Sequence, residues 1–445
     1  MTSLLLCLAA FVVTYRTARR SLWAGIASVL TVGYGYGIYR ANFLDGYSHL
    51  LFDAALVGLY AAQLFHRLAP DERLRIEELR LWLVALVAWP VVLVLAPTQD
   101  PLVELVGLRG NTFMLPCLLL GARLDRASVG RLALWIAGLN LAAGAAAAAQ
   151  FVVGIEPFFP RNPVTDIIYR SGDVAGFTAY RIPSCFSSAH AYAGTMVATL
   201  PLLVGAWMQP GPRSRSLLLG ASILVSVVGV FAAAARQPVV LLFALALTVV
   251  FSSRVRFVYK ARWLLLGLLV AWIVSSEARF QRFTTLRDPD FLVERVAGSV
   301  NLAMIDLARA YPLGNGLGGG GTSIPYFLQD RVRNVVVLEN EYARILLEQG
   351  IPGLLLWIGF IVWVFTRRTN PPNRPWFLAR RMARVFCLGS FGTGLVGIGL
   401  LTSIPGTALF LLSIGWIAVR EAPALEPAPI GARTAGAPAW RYGTS

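Results

Sequence analysis

Charge is scarce in this chain. Asp, Glu, Lys and Arg make up 14% of its 445 residues, where a soluble domain carries about 25%. Lysine is all but missing, Lys260 being the only one. The four cysteines, Cys7, Cys117, Cys185 and Cys387, have no paired spacing, which argues against a disulfide framework or a cysteine metal site. The net charge of +16 comes without a basic stripe interleaved with aromatics, so nucleic acid is not an expected partner. The formal dinucleotide fingerprint Gly314-x-Gly316-x-x-Gly319 has no strand before it and no βαβ unit around it, and a turn is the simpler reading of those glycines.

What the chain has is apolar sequence, 57% of it. It comes in runs such as 81–96, 132–153 and 354–365, separated by short arginine-rich knots. A helix crosses the hydrocarbon with roughly 20 apolar residues, and with no water there each run must satisfy its own backbone as a helix. The expected fold is therefore all-α, a polytopic transmembrane bundle of about 12–13 spans with a large, partly helical periplasmic loop. Spans are expected near 3–14, 21–39, 48–65, 81–97, 102–120, 132–153, 186–208, 217–234, 237–252, 262–276, 346–365, 384–401 and 405–419. The first follows neither a basic leader nor precedes an A-x-A site, and reads as a short span rather than a cleaved signal.

Every second connection is basic: Arg16/Arg19/Arg20, Arg67/Arg73/Arg75/Arg80, Arg123/Arg126/Arg131, Arg213/Arg215, Arg254/Arg256/Lys260/Arg262 and 367–384 hold most of the 39 basic residues. Cytoplasmic loops collect arginine and lysine, so this set is expected on the cytoplasmic side of a bacterial inner membrane. The organisation that follows is N-terminal helices over 1–153, a periplasmic loop over 154–185, central helices over 186–276, a large periplasmic loop over 277–345, C-terminal helices over 346–420 and a disordered cytoplasmic tail over 421–445. The large loop contains an amphipathic stretch, 290–311, with Phe291, Val296, Val300, Ala303 and Leu307 at near-helical spacing.

A pump or channel marks its pathway with ionisable residues inside the spans. The spans read here contain few; Asp53 lies in the third and Glu104 and Arg109 in the fifth, each also explicable as a residue near a helix end that snorkels or pairs locally. Chemistry-bearing residues gather instead at the outer loops and their membrane edges. The chain leaves the first loop as Arg181-Ile-Pro-Ser-Cys-Phe-Ser-Ser-Ala-His190. A tight outer turn presents Arg236. In the large loop Arg295 precedes Tyr311-Pro-Leu-Gly-Asn-Gly-Leu-Gly318, and the loop closes on Leu338-Glu-Asn-Glu-Tyr342 and Gly350-Ile-Pro-Gly353. An arginine in so short a turn sits at head-group depth, as a ligand for a lipid substrate or as a plain interfacial anchor.

Together these pieces, over roughly 181–353, resemble the O-antigen ligase and O-antigen or exopolysaccharide polymerase family of bacterial membrane glycosyltransferases. That family has a Pro-x-Gly-x-Gly turn in its large periplasmic loop, then a His-Asn pair, then a Gly-x-x-Gly opening the next span. This chain has Pro312, Gly314, Gly316, Asn340, Gly350 and Gly353 in that order, and departs at the histidine, where Glu339 stands. The resemblance implies a polyprenyl-pyrophosphate-linked glycan donor, a glycan or lipid acceptor, surrounding membrane lipids and, for a polymerase, a chain-length regulator as partners. It implies no cofactor and no metal.

Departure of a pyrophosphate builds negative charge that arginine forks can hold. Arg236 is the expected catalytic arginine, with Arg181 and Arg295 beside it. A sugar hydroxyl needs a base within hydrogen-bond reach. Glu339 stands where that base is expected, with Glu341 as the neighbouring alternative; a helix cap is the competing role for Glu339. His190, Asn340, Glu341, Tyr342, Gly316 and Arg109 complete the expected substrate-binding set. Transfer without metal and with inversion at the sugar carbon is the expected chemistry. Polymerase, ligase and, from another class, a polysaccharide transporter or flippase all remain open at this point.

Overall fold

The computed structural model describes residues 1–170, 180–252, 302–321, 324–336, 338, 340–367 and 375–419, with the isolated positions 258, 261 and 265. Among the described residues every regular element is a helix. In chain order they are α1 (Thr2–Arg20), α2 (Leu22–Asn42), α3 (Leu51–Leu64), α4 (Pro70–Leu93), α5 (Pro101–Thr112), α6 (Cys117–Arg123), α7 (Arg126–Val153), α8 (Asp166–Arg170), α9 (Ala189–Trp207), α10 (Arg213–Ala232), α11 (Arg236–Val250), α12 (Leu302–Ala310), α13 (Glu341–Thr366), α14 (Phe377–Thr393) and α15 (Gly406–Ala418). Every expected span except 262–276, which lies outside the described residues with the tail 421–445, overlaps one or two of these helices, although 384–401 runs on past the end of α14 at Thr393.

Among the described residues five stretches are long and apolar enough to cross a membrane: Pro101–Arg123, Arg126–Val153, Ala189–Trp207, Arg213–Ala232 and Glu341–Thr366. Arg236–Val250 and Gly406–Ala418 are apolar but shorter. The others fall short for visible reasons. The first half of α4 reads Pro-Asp-Glu-Arg-Leu-Arg, the first half of α14 holds Arg380, Arg381 and Arg384, and α3 has only 14 residues. The expected span 102–120 is broken in two at Phe113–Pro116, because Pro116 cannot donate to the helix ladder.

α9 is the central helix. In its span 89% of the residues are buried, and it packs on α7, α10, α11, α14 and α15. Small residues let the backbones close in, as expected where lipid gives helices no hydrophobic reason to associate. α6 and α15 cross on a reciprocal pair: a Cβ on Gly121 would lie 2.0 Å from the Leu412 carbonyl oxygen, and one on Gly415 would lie 1.9 Å from that of Leu118. A polar knot fixes four helices in register. Fully buried Asn140 on α7 accepts from the Tyr34 hydroxyl of α2 at 2.5 Å and donates to Thr199 of α9 at 2.9 Å and Ser226 of α10 at 2.8 Å.

The connections separate into two groups, each held together by its own contacts. In one, Asn42 and Asn162 join the α2 end to the loop after α7, Gln99 reaches Asn315 and Arg333, the ring of His49 meets those of Tyr326 and Phe327, and Gln237 meets Thr393. In the other, Gln63 reaches Ala18, Arg123 reaches Gln63 and Glu72, Arg367 pairs with Glu78, and Arg380 reaches Val419. The second group is the arginine-rich one.

Candidate functional site

The first group of connections contains Arg236, Asn340, Glu341, Tyr342 and Gly316 of the expected site, and the element that organises them is the start of α13. Asn340 caps this helix, its side chain accepting from the Ala343 amide at 2.5 Å. The helix therefore starts five residues before the span expected at 346, and Glu341, Arg344 and Glu348 enter the bundle on it. All three are buried. Arg344 donates from Nε to Glu341 at 2.8 Å and from Nη1 to Glu348 at 2.8 Å and to Asn111 of α5 at 3.1 Å. Asn111 donates to Glu348 at 2.6 Å and accepts from Gln349 at 2.9 Å. The other oxygen of Glu341 accepts from the amides of Gly399 and Leu400, at 2.8 and 3.2 Å. With both oxygens engaged in this way, Glu341 holds Arg344 and the 399–400 backbone together, a posture that leaves little room for abstracting a proton.

α13 breaks at Gly350, where φ is 68° and ψ −172°, a conformation open essentially to glycine alone. The break is filled by the glycine-rich segment. Ile351 donates its amide to the Pro312 carbonyl at 2.9 Å, Asn315 donates to that of Leu347 at 2.6 Å, and the Trp89 indole caps the free Gln349 carbonyl at 2.8 Å. On its other side the segment lies on α5. A Cβ on Gly107 would come 2.2 Å from the Gly318 nitrogen, and one on Gly316 would come 2.1 Å from the Thr98 hydroxyl. Residues 312–318 are therefore a packed layer between α5 and α13, not a loose turn. Glu104 serves this layer: buried, it accepts from the amides of Thr98 and Gln99 at 2.7 and 2.9 Å.

Two other expected residues reach the same place through shared neighbours. Arg236 opens α11 after Ala234, which has a positive φ of 47°. Beside it, Gln237 donates to Thr393 at 2.7 Å, and the next residue, Gly394, accepts from the Glu341 amide at 2.8 Å. The Tyr342 hydroxyl donates to the Phe391 carbonyl at 2.9 Å. The turn bearing Arg236 and the helix start bearing Asn340, Glu341 and Tyr342 thus lie against one segment, 391–400.

Arg109 is on α5 but forms a fork-to-fork pair with Asp53 of α3, at 2.5 and 2.8 Å. Each is the other's partner across two helices. Arg181 is buried, and its Nε has no hydrogen-bond partner among the described residues. His190 is exposed in the first turn of α9. Among the described residues no hydrogen bond or ion pair joins either of them to the Asn340 cluster; their segment is fixed instead to α2 and α7, with Gly37 and Ile38 donating to the Cys185 carbonyl and Ser184 to Gln150. Burial pushes the Cys185 thiol above its ordinary value, so it is a poor nucleophile. Arg295 and Glu339 lie outside the described residues. No group of three or more His, Cys, Asp or Glu that could hold a metal occurs among the described residues.

Sequence reasoning missed Asn111, Arg344, Glu348 and Gln349. The signal was present: Glu341, Arg344 and Glu348 follow at helical spacing, and ionisable residues carried into a membrane helix mark function by default. The described residues form an all-helical bundle with five candidate membrane spans, the character of a membrane protein. The chain matches no protein-family model and no curated protein sequence.

Proposed function

We propose that the chain is a membrane glycosyltransferase that polymerises polyprenyl-pyrophosphate-linked oligosaccharide repeat units into O-antigen or exopolysaccharide. In this reading it spans a bacterial inner membrane twelve or thirteen times and works at the periplasmic face. The observation that carries the proposal is the shared seat of two distant motifs. The Arg236 turn and the Asn340–Tyr342 helix start both lie on 391–400, and Pro312–Gly318 is packed against the same helix. A cation is thereby held near the start of a helix whose first residues follow Glu339, as transfer from a pyrophosphate requires.

The acceptor hydroxyl oxygen attacks the anomeric carbon of the donor. The bond from that carbon to the pyrophosphate oxygen breaks, its electron pair leaves with the polyprenyl pyrophosphate, and the hydroxyl proton passes to Glu339. Inversion follows from attack opposite the leaving group. Arg236, with Arg295, offsets the charge that develops on the pyrophosphate, by bidentate hydrogen bonds that lysine cannot reproduce. Glu341 and Arg344 keep the helix start in place.

One observation favours a second reading, a transporter: α13 is broken, and transporters build their sites on broken helices. Here, however, the break is occupied by the chain's own residues 312–315. The test is polymer formation by the purified protein from a polyprenyl-pyrophosphate repeat unit in detergent, where transport has no meaning. A product ladder from donor alone, insensitive to chelator and lost in Arg236→Lys and Glu339→Gln at equal protein level, is the expected result. A single product that needs a lipid A-core acceptor would make the chain a ligase. No product under either condition, from protein that complements a polysaccharide-deficient strain, would replace the enzyme with a transporter.

A further inference from the structure

At the arginine-rich end, away from the proposed site, a cavity of about 390 Å³ opens between the start of α7, the α9–α10 connection and the start of α14. Arg126, Arg131 and Arg215 line it, with Gly130, Gln209 and Trp376, and no carboxylate is among its described lining residues. A second recess of about 450 Å³ adjoins it through Gln209 and Arg215. We infer that this cavity binds the phosphate head group of an anionic membrane lipid.

Planar guanidinium forks match phosphate oxygens in pairs, and Arg131 and Arg215 bring two of them to one hollow. Arg215 is only weakly engaged by the protein. Nη2 reaches the Ala206 carbonyl at 3.4 Å, and Nε is buried without a hydrogen-bond partner among the described residues. Arg131 is held over the face of Trp23, 5.5 Å from its centre, which fixes its direction without neutralising it. The cavity also receives the start of α14 after Trp376, whose amide dipoles add to the positive potential, whereas the start of α7 is already capped by the Asp125 carboxylate, which accepts from the Ser128 amide at 2.8 Å.

The source of the phosphate follows from the surroundings. Trp207 and Trp376 line the two recesses, and tryptophan collects at head-group depth. Trp135, Leu217 and Leu218 stand exposed on α7 and α10 beside the openings, an apolar track for acyl chains. A basic pocket between helices at this depth is the kind that retains anionic lipid.

The experiment uses the full-length protein, purified and delipidated in detergent, with bound lipid read by native mass spectrometry. Phosphatidylglycerol and cardiolipin are expected to bind in preference to phosphatidylcholine. In Arg131→Gln/Arg215→Gln that preference should fall by about tenfold or more for each guanidinium lost. Gly130→Leu fills the hollow and keeps all three arginines; a Cβ there would meet nothing nearer than Trp376 at 3.8 Å and Arg215 at 3.9 Å, so the helix accepts it. It should lose the lipid as the double variant does, and it carries the test if the double variant does not fold. Equal binding of the anionic and neutral lipids, or full retention by Gly130→Leu, overturns the inference. Saturable binding of inorganic phosphate that displaces the lipid completely would overturn the lipid as the source.

Discussion

Gly350→Ala is the sharpest perturbation of the packed layer at the site. Alanine at φ 68° and ψ −172° enters a region that costs an L residue about 1–3 kcal/mol. Its Cβ would also stand 2.5 Å from both the Pro312 oxygen and the Leu313 carbonyl carbon. Both are backbone atoms, so no rotamer change relieves the clash, and residues 312–315 must lift away. That gives up the Ile351–Pro312 and Asn315–Leu347 hydrogen bonds, at about 1 kcal/mol each. The total is about 3–5 kcal/mol, of which about 2 kcal/mol is the release of one segment rather than loss of the bundle. Limited proteolysis should then cut within 312–321 while the thermal midpoint in detergent falls. Gly138→Ala is the control: its Cβ meets nothing within 4 Å, and it sits inside α7. It should be neutral or slightly stabilising. If Gly350→Ala resists protease and heat as the unsubstituted protein does, the docking of 312–318 into the α13 break is wrong.

Arg344→Met leaves two buried carboxylates without their cation and should cost about 3–5 kcal/mol in a denaturation series; Arg344→Lys should recover only part of it, because one ammonium cannot span Glu341, Glu348 and Asn111. Asn140→Ala removes three interhelical hydrogen bonds, each about 0.6 kcal/mol, so a loss of about 2 kcal/mol is expected; an unchanged midpoint would mean that the knot does not hold the four helices. Asn340→Ser should keep both fold and polymer formation, because serine caps as asparagine does, whereas Asn340→Leu should cost about 1 kcal/mol; a substrate-binding role for the Asn340 amide would show as lost activity in the stably folded serine variant.

How much of this was legible in the sequence depended on which physical signal each feature left. The helices left the plainest one, since an apolar run in a membrane has only one way to satisfy its backbone, and the runs were found where the helices are. The edge of α13 was misplaced for an equally physical reason. A hydropathy reading draws a span's boundary inward of its flanking charges, so Arg344 was assigned to the loop, and Glu348 inside the span passed unnoticed. Yet Arg344 ion-pairs with Glu341 and Glu348 at 2.7 and 2.8 Å, and charges that compensate one another can sit in a bundle. The fourth member, Asn111, lies 233 residues from Arg344 and gave no local hint at all. The same holds for Asp53 and Arg109, which looked like separate helix-end residues and are one pair. The glycines misled in the opposite direction. Gly314, Gly316 and Gly318 suggest freedom, but their missing side chains are what let the backbone press onto α5 and α13. In a chain this poor in charge, the polar residues that enter the bundle do so in company, and the company is set by tertiary contact. A reading of one helix at a time finds the helix and loses the network, so the variants that report on this site are the ones that break a pair while leaving each helix intact.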